Sequence, residues 1–165
     1  MILKRAYSSL SFPLRIAIVG SGPAGLYTCG GLISRLPKSK IDIFDRSAIP
    51  YGLIQYGVAP DHYDVKRCTN QFEKLIVENS DRISLFCNVQ IGQDLTFDEL
   101  CQDYDAVVLA YGANKARKLN IPGSDAINCI SGGDFVTWYN GGYSPCVPLL
   151  DNEKAVIIGN GNVSI

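Results

Sequence analysis

The chain has 165 residues, 47% of them hydrophobic, with a formal net charge of −1 and a mean hydropathy of +0.08. That length suits one domain with an ordinary core, and without an apolar run near ~18 residues the chain reads as soluble and globular, with no membrane span. The near-neutral charge hides an asymmetry. Residues 1–41 hold Lys4, Arg5, Arg15, Arg35, Lys38 and Lys40 and no acid, and the remainder has nine basic and sixteen acidic residues. No basic patch with interleaved aromatics is present, which argues against a nucleic-acid partner.

The opening segment, residues 1–14, is basic, serine-bearing and free of acids, and it ends just before the first strand. This is the composition of a mitochondrial presequence, and its apolar run is too short for a secretory signal; a frayed basic terminus is the alternative. Residues 16–19, Ile-Ala-Ile-Val, read as a buried parallel strand. They run into Gly20-Ser21-Gly22-Pro23-Ala24-Gly25, and the spacing predicts a helix from Pro23 to about Leu36, with proline tolerated in the first turn and Pro37 closing it. Residues 41–45 are the second strand. The stretch 46–63, rich in Gly, Pro and Tyr, is a long irregular loop of the kind that carries function.

A helix is expected over 65–79, extended chain over 83–91, and a capping box at Thr96 and Glu99 opening a short helix. Residues 105–110 read as a third buried strand closed by Gly112, 133–139 as a helix, and 155–158 as the strand of a further βα unit. Six scattered cysteines, Cys29, Cys68, Cys87, Cys101, Cys129 and Cys146, form no Cys-x-x-Cys pair and, with a single histidine, offer no zinc-ligand spacing. They read as free thiols of a reducing compartment. A flavin enzyme working through an internal disulfide would need two close cysteines after the first βαβ unit, and the sequence has none there.

The glycine run after the first strand is a dinucleotide fingerprint in its full context of strand, turn and helix. Gly20 permits the tight turn, Gly22 the close approach of pyrophosphate, and Gly25 the packing of helix on strand. Asp45, at the end of the second strand, is placed to accept hydrogen bonds from a ribose. Its charge favours a 2′-hydroxyl over a 2′-phosphate, so the first nucleotide is expected to be FAD or NAD. A second run, Gly159-Asn160-Gly161-Asn162-Val163, follows residues 155–158, but its third small position is Ser164 and the sequence stops at Ile165. Taken by itself that run reads more readily as a structural turn; beside the first fingerprint it reads as a second nucleotide turn.

Between the two runs lie Pro50-Tyr51-Gly52-Leu53, then Tyr56-Gly57-Val58-Ala59-Pro60-Asp61-His62, then Val65-Lys66. Further on are 105–113 (Asp-Ala-Val-Val-Leu-Ala-Tyr-Gly-Ala), Leu119-x-Ile-Pro-Gly123 and Phe135-Val-x-Trp-Tyr-Asn-Gly141. Over about residues 15–165 this resembles the adrenodoxin reductase family, the mitochondrial-type ferredoxin–NADP reductases. The resemblance implies an α/β fold: a Rossmann-like FAD-binding domain of the two-dinucleotide flavoprotein type over 15–150, truncated at the start of an NADP-binding domain over 151–165. It implies FAD contacts at Ala24, Asp45, Leu53 and Ile91, beside the turn glycines, and NADP contacts at Asn160, Gly161, Asn162 and Val163. Asp45 stands where the family's usual residue is glutamate, and Ser164 where alanine is usual.

A lone histidine in a loop is more often a structural residue than a catalyst. The family's pattern puts His62 beside the flavin, paired with a carboxylate that would fall past Ile165, and so implies a proton-handling or docking role. Asp61 could orient that segment, and Trp138 and Tyr139 read as packing residues. The implied activity is transfer of electrons from NADPH through FAD to a small iron–sulfur ferredoxin, in the mitochondrial matrix or on the matrix side of the inner membrane, with at most peripheral membrane association and no metal site. The alternatives are a truncated, non-catalytic FAD-binding fragment, or a flavoprotein subunit of the glutamate-synthase type.

Overall fold

The computed structural model describes residues 13–59, 62, 66–113 and 116–161. The expected presequence falls almost wholly outside the described residues, as do Asp61, Asn162 and Val163. The described residues fall into two compact units, one within residues 1–52 and 68–112, the other within 53–67 and 113–165.

The first unit is built on a parallel sheet. Its strands are β1 (Arg15–Val19), β2 (Lys40–Asp45), β3 (Ile83–Cys87) and β4 (Ala106–Leu109), in the order β3-β2-β1-β4. In register, Ile16 lies opposite Ile41 on one side and Ala106 on the other. Helix α1 (Pro23–Arg35) makes the crossover from β1 to β2, α3 (Cys68–Glu78) precedes β3, and α4 (Phe97–Asp103) precedes β4. Because successive strand residues face opposite ways, the sheet buries two sets of side chains. Ala17, Val19 and Phe44 form one cluster with Leu100 of α4, and Val89, Ile91, Leu95, Tyr104 and Val107 pack against it. Ile18 faces the other way, toward α1, where Leu26, Cys29 and Ile33 are buried. Burial pushes the Cys29 thiol up to about 11, with Arg82 opposing, so it stays protonated and inert. Among the described residues no helix is long and apolar enough to cross a membrane.

Arg82 locks the far end of this layer. Its guanidinium donates to the Leu36 carbonyl at 2.7 Å, to Ser39 O at 3.1 Å and to Ile33 O at 3.3 Å. It thereby satisfies the orphan carbonyls, and the negative dipole end, of α1. Arg82→Met removes these bonds and strands the half-buried carbonyls, so it is expected to cost about 2–3 kcal/mol, read as a lowered urea midpoint at constant m. Arg82→Lys should recover only part of this, because an ammonium lacks the fork.

Several elements match their sequence cues. Thr96 caps α4 with the reciprocal bonds of a capping box: Thr96 N–H donates to Glu99 Oε2 at 2.7 Å, and Glu99 N–H to Thr96 Oγ1 at 3.2 Å. These bonds hold the Glu99 carboxyl below its ordinary range. Others differ. The extended chain expected over 83–91 ends as a strand at Cys87, where Asn88 takes a positive φ of 58° and turns the chain. Ile91 then pairs only through an isolated bridge to Leu95. The strand expected to be buried over 105–110 is β4, whose outer residues are exposed, Leu109 by 52%. It lies at the sheet edge, with β1 as its one strand neighbour among the described residues.

The second unit holds α2 (Leu53–Tyr56), inside the loop expected to be irregular, and α5 (Gly132–Tyr139). The Asn140 side-chain amide donates to Tyr56 O at 2.8 Å and ties the two together. Ser131 caps α5 by accepting from the Asp134 amide at 3.1 Å. Trp138 is half-buried and packs against Phe135 at a ring separation of 5.8 Å. The strand expected over 155–158 is absent: these residues are in no strand, and Val156, Ile157 and Ile158 are 86%, 67% and 61% exposed. A parallel strand is held by hydrogen-bonded neighbours and covering helices, and the described residues of the second unit supply neither.

Candidate nucleotide-binding site

The strand order places the glycine turn at the C-terminal end of β1, between β2 and β4. This is where an open parallel sheet reverses its winding and leaves a crevice for ligands. The turn is tightly specified. Gly20 has φ +108°, and a Cβ there would lie 2.4 Å from the Ala110 carbonyl oxygen. At Gly25 a Cβ would lie 2.0 Å from Gly20 O, so α1 can seat on the turn only with glycine there. Gly22 is different. Its φ of −72° is open to any residue and its missing Cβ would meet nothing within 4 Å, so it faces free space at the start of α1. Gly22 is the N-cap of α1 without a side chain to cap it, Pro23 follows, and the first turn carries no acid. The positive end of the helix dipole is thus left for an external anion.

The turn's own amides are divided between internal and external use. Gly20 N–H donates to Phe44 O at 2.7 Å. Ser21, which is fully buried, donates its N–H to Asp45 Oδ2 at 2.7 Å and its hydroxyl to the same oxygen at 2.5 Å. Asp45 Oδ1 accepts from Ser47 N–H at 2.8 Å. Gly22 N–H has no acceptor among the described residues. Asp45 thus holds the turn from behind, a task the sequence reading did not foresee. A carboxylate offers about four lone-pair sites and three are taken, leaving one on Oδ1. The sequence signal for Ser21 is a small hydroxyl residue between two turn glycines, with an acid ending the next strand.

The other expected site residues sit as follows. Ala24 is exposed in the first turn of α1, its carbonyl accepting from Thr28 Oγ1 at 2.7 Å. Ile91 is half-buried against the Val19, Phe44 and Leu100 cluster. Leu53 begins α2 in the second unit and is 72% exposed. His62 is exposed; its N–H donates to Ala59 O at 3.1 Å and its carbonyl accepts from Lys66 N–H at 3.3 Å. Asn160 and Gly161 are exposed and outside any helix or strand. The first unit therefore gathers Gly20, Gly22, Ala24, Gly25 and Asp45 about one turn.

These features fit a flavin dinucleotide in outline: an anion-ready helix terminus, room over Gly22, and a carboxylate with one free acceptor site. A family model described as pyridine nucleotide-disulphide oxidoreductase matches residues 14–165. The chain belongs to this family. Within this oxidoreductase family it is 43% identical over its whole length to a relative from Arabidopsis thaliana named mitochondrial NADPH:adrenodoxin oxidoreductase. It is 42% identical over 92% of its length to the Bos taurus protein of the same name. The chain spans 34% and 31% of those two relatives. Among solved structures, FprA, a Mycobacterium tuberculosis oxidoreductase, superposes with a TM-score of 0.74 at 40% identity, covering 78% of this chain and 29% of FprA. FprA in complex with NADPH superposes with a TM-score of 0.73, with the same coverage.

Proposed function

We propose that this chain supplies the FAD-binding part of a flavoprotein oxidoreductase that carries electrons from NADPH to an adrenodoxin-type iron–sulfur protein in mitochondria. The observation that carries the reading is the turn at Gly20–Gly22, with its open face, uncapped helix terminus and Asp45 behind. The names of the relatives from Arabidopsis thaliana and Bos taurus support the reaction, the acceptor and the compartment, and favour them over a glutamate-synthase-type subunit. FAD would supply the step from two-electron to one-electron chemistry. The chain's own work is to hold the pyrophosphate on the Gly22 amide and the α1 terminus, and to orient the ribose on Asp45. Leu53 and Ile91 are assigned to the flavin side, His62 to proton handling or docking, and Asn160, Gly161, Asn162 and Val163 to NADP, in the matrix or at the matrix face of the inner membrane.

A second reading is favoured by the exposed, strandless residues 155–158: the 165-residue polypeptide alone is a non-catalytic flavin-binding fragment. Grafting residues 14–165 in place of the matching part of the Arabidopsis thaliana relative tests the first reading. The chimera should retain flavin through purification and reduce a [2Fe–2S] ferredoxin with NADPH. A stable, folded chimera that binds no flavin would refute it.

A further inference from the structure

Beside the turn, Tyr51 adopts a φ of +82° and is followed by Gly52 at +56°. A left-handed backbone is ordinary for glycine and costly for tyrosine, so surrounding contacts must impose it. Those contacts are visible. The Tyr51 ring stacks on Phe72 of α3 at 6.4 Å and 19°, and the edge-to-face contact of Phe72 with Tyr27 of α1, at 4.9 Å, steadies it in turn. Burial raises the Tyr51 phenol above its ordinary value, with Glu73 and Cys87 adding to the shift. The strained backbone lies close against the turn: a Cβ on Gly52 would be 3.2 Å from Gly22 Cα, and Tyr51 N–H donates to Ser21 O at 3.1 Å.

That last bond decides the orientation of one peptide plane. In a trans peptide the C=O and the following N–H point in opposite directions. With the Ser21 carbonyl held toward Tyr51, the Gly22 N–H must point the other way. The same residue is pinned on its other side by the bond from Ser21 N–H to Asp45. We propose that Tyr51 is a positioning residue that locks the Ser21–Gly22 peptide and so aims the Gly22 amide at the pyrophosphate of a bound dinucleotide. The ring on Phe72 supplies the anchor, the left-handed backbone delivers the N–H, and Gly52 allows the chain to pass this close. The inference rests on the flavin-site reading above and adds to it the device that orients the phosphate donor.

The test uses the 15N-labelled 165-residue chain with ADP and FAD as probes. In the unsubstituted chain the Gly22 amide resonance should move downfield on adding ADP. Tyr51→Phe keeps the ring and the N–H and should behave identically. Tyr51→Ala should weaken FAD binding by roughly tenfold, the size expected for a lost oriented hydrogen bond, and should abolish the ADP-induced shift at Gly22. Tyr51→Gly adopts the backbone without strain, so it guards against misfolding while lacking the anchor, and should show the same losses. A purely structural role for Tyr51 would lower the melting temperature of the variants and leave the Gly22 shift intact. If Tyr51→Ala and Tyr51→Gly both bind FAD within twofold of the parent with that shift unchanged, the inference is overturned. If the parent chain itself binds neither ADP nor FAD, the flavin-site reading falls, and this inference with it.

Discussion

Gly22→Ala and Gly25→Ala are expected to fail in opposite ways. At Gly25 a Cβ would sit 2.0 Å from Gly20 O, against backbone that is fixed by the bond from Gly20 N–H to Phe44 O. No rotamer change can relieve that contact, and it outweighs the gain of about 1 kcal/mol in helix propensity from replacing glycine. Gly25→Ala should therefore destabilise the first unit by about 3 kcal/mol or more, seen as a large drop in urea midpoint with or without flavin. At Gly22 the new methyl meets nothing within 4 Å and the backbone is ordinary. Alanine is a poorer N-cap than glycine, so stability should fall by no more than about 1 kcal/mol. The methyl would occupy the space where the pyrophosphate must approach, and FAD affinity should fall by at least about a hundredfold, some 2.7 kcal/mol. Equal loss of stability in both variants would show that Gly22 serves packing and not ligand approach.

Asp45→Ala is the second large effect, and it should appear even without ligand. Removing the carboxylate strands the Ser21 N–H, the Ser21 hydroxyl and the Ser47 N–H, of which the first two belong to a fully buried residue. Leaving such donors unmet costs about 1–3 kcal/mol, so the flavin-free chain should unfold at lower urea. FAD affinity should drop by a further 1–3 kcal/mol or so, from the lost ribose contact and from a turn no longer held in place. Ser21→Ala separates the two roles: it deletes one donor while keeping the charge and the backbone bond, so it should cost only about 1 kcal/mol. An Asp45→Ala chain with unaltered urea midpoint and unaltered FAD retention would contradict both assignments.

The sequence made the first unit legible because its cues are local and agree with one another. The apolar β-branched strands, Pro23 at a helix start, the Thr96–Glu99 capping box and the glycine spacing each act within a few residues. Asp45 was visible as an acid at a strand end, but its bonds to Ser21 were not, because they join residues 24 apart whose meeting depends on β1 and β2 pairing in parallel. Tyr51 was hidden for a similar reason. No pattern marks a tyrosine as left-handed, and only the rings of Tyr27 and Phe72, on separate helices, make that conformation tenable. Residues 155–158 depart from expectation because hydrophobicity is the only cue there. They carry the pattern of a buried strand, yet a strand exists only when paired, and the described chain offers them no partner.

Calorimetric titration of the purified 165-residue chain with FAD and, separately, with NADPH tests the central claim most directly. The turn at Gly20–Gly22 is built and Asp45 disfavours a 2′-phosphate, whereas Gly159, Asn160 and Gly161 follow no strand and lie exposed. Measurable FAD binding with no detectable NADPH binding is the expected result. Micromolar NADPH binding that FAD does not match would contradict the account.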